Sequence, residues 1–418
     1  MEVETSLQRP SHAARVLEVF LVFLRLGLTS FGGPIAHIGY FRREFIEQRR
    51  WMSDDAFTEL VALCQFLPGP ASSQTGFSIG WLRAGWTGGL AAWCGFTLPS
   101  MLFMIVCAMA APDLGGPMGG ALVHGLKLVA VAVVAQAVWD MGRRLCPDRR
   151  RAAIALFALA LSCLFASVYT QLAVIAGGAL LGLVLCRAQT HASAGRHDTF
   201  PAIAVSRKVA VAAFAGFVVL LAGPAWLHAG ALAQGVRLFE AFYRSGAFVF
   251  GGGHVVLPLL QQQIVATGWI SSNAFLAGYG AAQAAPGPLF TFAAYLGWLM
   301  PVPPNHWAGA MLATAAIFLP GLLLVVAALP CWQLLRARPA AAAAFAGVNA
   351  AVVGLLAFAL YSPVWVSAVR NPLDFALAGT AFLLLVRWRL PPLAVVALCI
   401  GASVALAGTG LAPASLGG

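Results

Sequence analysis

The chain has 418 residues, of which 61% are hydrophobic and 9% charged, whereas a soluble domain carries about 25% charged residues. This composition excludes an ordinary water-soluble enzyme. The net charge of +11 comes mainly from Arg and Lys in short loops between apolar runs, a pattern typical of charges that set membrane topology and not of a nucleic-acid surface. Eight Cys without CxxC spacing do not suggest a zinc site or a disulfide framework, and we expect neither a metal nor a cofactor.

Taken in chain order, the apolar runs predict an all-α, polytopic membrane protein. Residues 152–186, 245–335 and 390–418 contain no Asp, Glu, Lys or Arg, and each can hold at least one membrane helix of about 20 residues. The chain divides into an N-terminal tail (1–15), a first unit (16–186), a polar linker taken as cytoplasmic (187–208), a single membrane helix (209–228) and a second unit (229–418). We expect about 10–13 membrane segments in total.

The two units are homologous copies, because short motifs recur in the same order in both. Arg25 aligns with Arg244. The aligned motifs are Phe31-Gly32-Gly33 with Phe250-Gly251-Gly252, Pro68-Gly69-Pro70 with Pro286-Gly287-Pro288, and Leu98-Pro99 with Leu319-Pro320. One such match could arise by chance, but several in order indicate a duplicated unit.

Loop charges indicate that the second copy is inverted relative to the first. Residues 42–50 contain four Arg and their counterparts 254–267 contain none, while residues 141–151 contain five Arg and their counterparts 362–374 contain one. The positive-inside rule predicts this alternation for inverted copies. A single extra helix between two equal copies would produce the inversion, an arrangement common in transporters.

The basic loops also predict re-entrant segments. Keeping residues 42–50 and 141–151 on one side of the membrane requires an even number of crossings, but three apolar segments lie between them. We therefore expect residues 56–83, which contain the Pro-Gly-Pro motif, to enter and leave on the same side. Residues 16–48 are expected to bend at Gly32-Gly33-Pro34. Such backbone is tolerated at membrane depth where it is buried in protein or lines a wet cavity.

A helix that restarts inside the membrane points free N–H groups and the positive end of its dipole at the break, which favours anion binding. In the first copy, Ser72, Ser73 and Gln74 follow Pro70, and His37 follows Pro34. The second copy offers fewer donors, so we expect the first copy to handle the ligand. The alternative interpretation is that Pro-Gly-Pro only kinks a helix for packing.

Arg25 and Arg244 lie within apolar segments, where an ionised group at the bilayer centre costs at least about 2.5–3.5 kcal/mol. Arg25 is a candidate for binding a tetrahedral oxyanion through its planar guanidinium. Glu18 and Glu240 precede these arginines. A neutralising ion pair, or snorkelling of the side chain to the membrane surface, is therefore the alternative.

The Phe-Gly-Gly and Pro-Gly-Pro motifs, in order in both halves, resemble those of the chromate ion transporter family in its long, two-domain form. The resemblance covers nearly the whole chain, apart from the first dozen residues and residues 187–208. It implies export of chromate, a mimic of sulfate, across the bacterial inner membrane, and hence chromate resistance. The motifs and the resemblance together give the candidate substrate-binding residues Arg25, Gly32, Gly33, Pro34, His37, Gln65, Pro68, Gly69, Pro70, Ser72, Ser73, Gln74, Arg244, Gly251, Gly252, Pro286, Gly287 and Pro288.

The chain contains no GxxxxGK[S/T] loop, so we expect secondary transport driven by the membrane potential, a proton gradient or both, and not ATP hydrolysis. A carrier for sulfate or another oxyanion and a passive anion channel are the alternatives. A membrane-embedded enzyme is disfavoured because no HExxH motif or paired carboxylates occur in a span. The expected partners are chromate or sulfate and the lipid bilayer, without nucleic acid. A homodimer is left open.

Overall fold

The structure is a computed structural model that describes residues 11–111, 116–165, 168–186, 205–222, 233–250, 253–332 and 338–408. Within these ranges the secondary structure is helical and contains no strand. Four helices are long and apolar enough to cross a membrane, namely Ala71–Ala110, Met118–Leu145, His306–Cys331 and Pro339–Ala368. The prediction of an all-α, multi-pass membrane protein is confirmed. Most of the predicted tail (1–15) and linker (187–208), the end of the predicted single helix (209–228), and both Gly251 and Gly252 lie outside the described residues.

The first copy contains seven helices in the described part of the chain. They are α1 (His12–Thr29), α2 (Gly33–Arg42, continued by a π-helical turn Arg43–Gln48), α3 (Asp54–Phe66), α4 (Ala71–Ala110), α5 (Gly116–Leu145), α6 (Arg149–Leu164) and α7 (Val168–Leu185). Helix α8 (Arg207–Ala222) follows and lies between the copies. It packs against α9 and α13 of the second copy.

The second copy repeats this order. Its helices are α9 (Ala233–Ala247), α10 (Val256–Leu260, after a 3-10 turn Gly253–Val255 and before a π-helical turn Gln261–Val265), α11 (Ser272–Ala282), α12 (Phe292–Trp298, after a 3-10 turn Leu289–Thr291), α13 (His306–Ala328), α14 (Pro339–Ala359), α15 (Pro372–Val386) and α16 (Pro392–Gly408). The turns Leu360–Trp365 and Val366–Ala368 connect α14 to α15.

Helix starts follow local capping rules that are shared by the two copies. The hydroxyl of Ser53 accepts a hydrogen bond from the Ala56 N–H at the start of α3. Ser271 does the same for Ala274 at the start of α11. A capping side chain satisfies one of the free N–H groups of the first turn, so the two serines fix equivalent helix starts.

In the first copy, α1 and α2 form a re-entrant hairpin. The ring of Phe23 in α1 stacks on that of Phe45 after α2, with centroids 5.1 Å apart. The guanidinium of Arg49 lies 3.4 Å from the carboxylate of Glu18. The chain therefore returns to the level at which it started, as the Gly32-Gly33-Pro34 motif predicts.

Helix α3 and the first half of α4 form a second re-entrant hairpin. Arg83, at the end of that half, lies 3.1 Å from the carboxylate of Glu18, so the segment returns to the same end of the molecule. Helix α4 then breaks at Ala84 and Gly85, where Gly85 has φ 67°. The end that carries Glu18 and Arg83 is called here the base of repeat 1.

The second copy is inverted relative to the first. The long second half of α4 leaves the base of repeat 1. Its counterpart α13 instead ends at that base, because the indole N–H of Trp332 donates to the carboxylate of Glu59 in α3 at 3.2 Å. The two helices are antiparallel and touch midway through Trp93 and Phe318, with ring centroids 5.7 Å apart. The opposite end of the molecule, where α11 begins and α12 ends, is called the base of repeat 2.

Helices α5 and α14 form a scaffold, and each of them packs against a helix of the opposite copy. Helix α7 of the first copy packs on α14 of the second, where a Cβ on Gly182 would lie 2.3 Å from the carbonyl of Ala343. Helix α16 of the second copy packs on α5, where a Cβ on Gly125 would lie 2.8 Å from the Cα of Ile400. Small residues allow such close approach of membrane helices, and the two contacts are related by the repeat.

Candidate functional site

The two Pro-Gly-Pro motifs meet in the interior of the protein through a reciprocal pair of backbone hydrogen bonds. Gly69 N–H donates to the carbonyl of Val249 at 2.7 Å, and Gly287 N–H donates to the carbonyl of Ser30 at 2.8 Å. Ser30 and Val249 occupy aligned positions one residue before the two Phe-Gly-Gly motifs. Each motif therefore binds the break of the opposite copy, which gives the site a pseudo-twofold axis.

Both motifs require glycine, because the backbone has a positive φ there and a side chain would have no room. Gly69 has φ 117° and Gly287 has φ 89°, a left-handed region that L side chains rarely adopt. A Cβ on Gly69 would lie 3.0 Å from the Cα of Gly321, and a Cβ on Gly287 would lie 3.0 Å from the Oγ of Ser100. The tips of the hairpins are thus packed directly against the long helices of the opposite copy.

Free amides point at these breaks in the first copy. Helix α4 begins after Pro70 and α2 after Gly32, and neither start has a side-chain cap. The N–H groups of a first helical turn have no intrahelical acceptor. The carbonyl of Ser30, before α2, by contrast accepts from Gly287, and the carbonyl of Pro68, before α4, accepts from the side chain of Gln74. The hydrogen-bonding thus satisfies the negative ends at the break and leaves the positive ends available for an anion.

His37 connects the two breaks of the first copy. It is fully buried, its Nε2 donates to the carbonyl of Ser30 at 3.2 Å, and its Nδ1 lies 3.4 Å from the hydroxyl of Ser72. A carbonyl only accepts, so Nε2 carries the proton and Nδ1 is the acceptor for Ser72. The 3.4 Å contact is long for a hydroxyl, so this hydroxyl can turn to a better acceptor.

Further hydroxyl groups lie close to these two breaks of the first copy. The hydroxyl of Ser100 donates to the carbonyl of Thr97 at 3.1 Å, and Ser100 also lies beside Gly287. The buried hydroxyl oxygens of Ser30 and Thr97 have no hydrogen-bond partner among the described residues. Because an unsatisfied buried polar group costs about 1–3 kcal/mol, these atoms favour a polar ligand. We call Ser30, His37, Ser72, Thr97 and Ser100 the polar break.

The aligned positions of the second copy are apolar or lack a side chain. They are Val249, Val256, Phe290, Phe318 and Gly321. All five are buried. The positions that form the polar break are therefore polar in one copy only.

Gln74 ties the first break to the second copy. Its Nε2 donates both to the carbonyl of Pro68 and to the carbonyl of Gly321, each at 2.9 Å. The buried Oε1 has no partner among the described residues. Gln74 therefore holds the shape of the break, and Ser73, whose buried hydroxyl is also unpartnered there, lies in the same helical turn.

Most of the residues singled out from the sequence converge at the hairpin tips. They are Gly32, Gly33, Pro34, His37, Pro68, Gly69, Pro70, Ser72, Ser73, Gln74, Pro286, Gly287 and Pro288. Gln65 does not join them, because it lies on the exposed face of α3. The aligned Gly251 and Gly252 are among the residues that the structure leaves undescribed.

Neither arginine reaches the polar break. Arg25 lies on an exposed face of α1, in line with Leu21 and Leu28, which are 53% and 56% exposed. Arg244 forms an ion pair with Glu240 at 2.6 Å, which is the alternative raised from the sequence. Glu18 does not neutralise Arg25, since its carboxylate contacts Arg49 and Arg83 at the base of repeat 1.

Sequence reasoning missed Ser30, Thr97 and Ser100. Each adjoins a recognised motif, Ser30 before Phe31 and the other two beside Leu98-Pro99. The signal that could have identified them is the difference between the copies, because each is polar in the first copy and apolar or Gly in the second.

Charged groups gather at the base of repeat 1 instead. The Arg42 guanidinium donates to the carboxylate of Asp54 at 2.8 Å, and this hydrogen bond holds the pKa of Asp54 below its usual value. Arg49 and Arg83 lie over the ring of Trp51 at 5.6 and 5.0 Å from its centroid. Among the described residues no three His, Cys, Asp or Glu side chains come together as metal ligands.

The chain is similar to known transport proteins over most of its length. It is 28% identical to a chromate transport protein of Pseudomonas aeruginosa, over 88% of this chain and 86% of the relative. It is also 28% identical to a probable chromate transport protein of Synechococcus elongatus, over 84% of each chain, and to a chromate transport protein of Cupriavidus metallidurans, over 88% and 86%. No solved structure matches it. The profile of the family described as chromate transporter matches residues 17–183 and again 236–405, so the chain is a two-repeat member of the chromate transporter family.

Proposed function

We propose that this protein exports chromate across the inner membrane of a bacterium and binds it at the polar break. The observation that carries the proposal is the difference between the Pro-Gly-Pro break of the first copy and that of the second. Both make the same backbone hydrogen bond to the opposite copy, but the buried hydroxyls of Ser30 and Thr97 in the first copy have no partner among the described residues. In the second copy, His254 is paired with the hydroxyl of Tyr279, and the hydroxyl of Thr291 donates to the carbonyl of Pro288. Membership of the chromate transporter family supports chromate as the anion.

The donors suit a tetrahedral oxyanion. Ser72 and Ser100 can each donate a hydroxyl hydrogen, and the first-turn amides of α2 and α4 add backbone donors with the positive ends of two helix dipoles. Hydrogen bonds to a charged ligand contribute about 1.5–3 kcal/mol each. Neutral donors also avoid the cost of keeping a permanent positive charge at mid-membrane when no anion is bound.

The membrane potential is sufficient to drive export. Moving charge across the membrane is worth about 2.3 kcal/mol per elementary charge per 100 mV, so a dianion leaving a negative interior gains about 5 kcal/mol. Since 1.4 kcal/mol is a factor of ten, this supports a gradient of a few thousandfold. The base of repeat 1, which is rich in Arg, faces the cytoplasm by the positive-inside rule.

The test is chromate uptake into inside-out vesicles with an imposed potential and sulfate as competitor. We expect uptake to require the protein, to rise when the lumen is made positive, and to fall in the Ser72→Ala variant. Uptake that is independent of the protein or of the potential would contradict export driven in this way. Counterflow of preloaded chromate identifies a carrier, whereas its absence indicates a channel. Uptake of sulfate without competition from chromate would assign sulfate as the substrate.

A further inference from the structure

The hairpins of the second copy are docked on the scaffold. In α11, a Cβ on Gly280 would lie 2.4 Å from the carbonyl oxygen of Leu126 in α5, so the two backbones cross in direct contact. Beside this crossing, Lys127 Nζ donates to Asn273 Oδ1 at 2.5 Å. Helix α10 is held as well, because the amide of Gln171 in α7 donates to the carbonyl of Pro258 at 3.0 Å.

The corresponding faces of the first copy are exposed. The residues that align with Gly280, Asn273 and Pro258 are Ala62, Asp55 and Gly39, and all three are exposed. Among the described residues no atom lies within 4 Å of the position of a Cβ on Gly39. Thr58 and Gln65 lie on the same exposed face of α3 as Ala62, at helical spacing.

A scaffold helix stands beside this exposed face. Helix α14 is the counterpart of α5, and its Val348 and Asn349 align with Leu126 and Lys127. Near the tip of α3, the ring of Phe66 already packs on that of Phe345 in α14, with centroids 3.9 Å apart. Below that contact, towards the base of repeat 1, the face of α3 is uncovered.

We propose that the exposed face of α3, formed by Asp55, Thr58, Ala62 and Gln65, is a docking surface for α14. When α3 docks there, α11 leaves α5. The exchange follows from the repeat, because inverted copies can take each other's conformations and so open the site to alternate sides. In the present state the face of α3 is uncovered and the equivalent face of α11 is covered by α5. The inference rests on the proposed transport function.

The difference between Gly280 and Ala62 explains which state is observed. Glycine leaves no Cβ between the backbones of α11 and α5, which are in direct contact at Gly280, whereas the methyl group of Ala62 must stand between α3 and α14. Dispersion contacts weaken steeply with a small gap. Docking of the first copy is therefore the looser of the two, and the chain rests with the second copy docked. Asp55 and Asn349 provide a polar pair in place of Asn273 and Lys127.

Two matched cysteine pairs test the exchange, in a background in which the eight native Cys are replaced and transport is retained. Lys127→Cys with Asn273→Cys reports the observed state. Asp55→Cys with Asn349→Cys reports the exchanged state, and Asp55→Cys with Gly216→Cys on α8 is the control. With a short thiol cross-linker in membranes, we expect both matched pairs to cross-link, the control not to, and either cross-link to abolish transport.

A second test exchanges the residues at the two helix crossings, with Gly in place of Ala62 and Ala in place of Gly280. We expect Ala62→Gly to raise cross-linking of the 55/349 pair severalfold. Gly280→Ala should lower cross-linking of the 127/273 pair severalfold, because the added Cβ would lie 2.4 Å from the carbonyl oxygen of Leu126. Size-exclusion chromatography checks that each variant is folded.

Two results would overturn the inference. One is a 55/349 pair that never cross-links, even with Ala62→Gly, and the other is a protein that still transports when it is locked at 127/273. Cross-linking is read on gels without chromate, so an exchange without chromate transport would refute the proposed substrate alone.

Discussion

The two Pro-Gly-Pro breaks make the same backbone hydrogen bond but are surrounded by different side chains. Gly69 and Gly287 make the same hydrogen bond to the opposite copy at 2.7 and 2.8 Å. Around them, Ser72 of the first copy is replaced by Phe290, and Ser100 by Gly321. The comparison separates two roles. The motif builds a junction between broken helices, while a few side chains decide whether that junction can hold an anion.

The largest effect is expected from changing the shared junction. Gly69→Ala places a Cβ 3.0 Å from the Cα of Gly321 at φ 117°, and such backbone strain costs about 1–3 kcal/mol. We expect loss of chromate transport in vesicles and a lower midpoint of thermal unfolding in detergent. Gly216→Ala in α8 is the control, because its Cβ position has no described neighbour within 4 Å. A Gly69→Ala protein with the wild-type transport rate would show that the junction is dispensable.

The next effect should distinguish the two breaks. Ser72→Ala removes a hydroxyl of the polar break, and a hydrogen bond to a charged ligand contributes about 1.5–3 kcal/mol, so the KM for chromate should rise by about 10- to 100-fold. Ser245→Ala in α9 is the matched control, since its buried hydroxyl donates within its own helix to the Ala241 carbonyl. Equal effects of the two changes on KM would refute the assignment of the ligand to the first copy.

Gln74 tests how the first break is attached to the second copy. Gln74→Met keeps the length of the side chain but removes its hydrogen bonds to Pro68 and Gly321. We expect the free energy of unfolding to fall by about 1–3 kcal/mol, measured by thermal unfolding in detergent. Gln65→Met should leave stability unchanged because Gln65 is exposed. If Gln65→Met destabilised the protein more, the structural role given to Gln74 would be wrong.

The smallest effect is expected at Arg25. Its side chain lies on an exposed face of α1 and away from the polar break, and exposed substitutions usually change free energies by about 0.5 kcal/mol or less. Arg25→Gln should therefore change the KM for chromate by about twofold, with Arg25→Lys as the charge-retaining control. Loss of transport by a folded Arg25→Gln protein, rescued by Arg25→Lys, would place this positive charge on the substrate path.

Some features of this protein could be predicted from its sequence, whereas the placement of several side chains could not. The Pro-Gly-Pro motifs, the re-entrant hairpins and the inverted copies could be predicted, because proline, glycine and loop charges act through local rules. The placement of Arg25 and Gln65 could not, since both lie beside recognised motifs but point to the exposed side of their helices. Conversely, Thr97 and Ser100 carry no motif of their own. They join the break only because the second half of α4 passes Gly287.

The sequence by itself determined that the chain is a membrane protein built from two inverted copies with interrupted helices. Apolar length, proline chemistry and the sidedness of arginines are properties that need no knowledge of neighbours. Only the tertiary structure decided which side chains meet at the breaks and which pair of hairpins is docked. Those outcomes depend on the rotation of each helix and on the gap between neighbouring backbones, and packing between residues distant in the chain sets both.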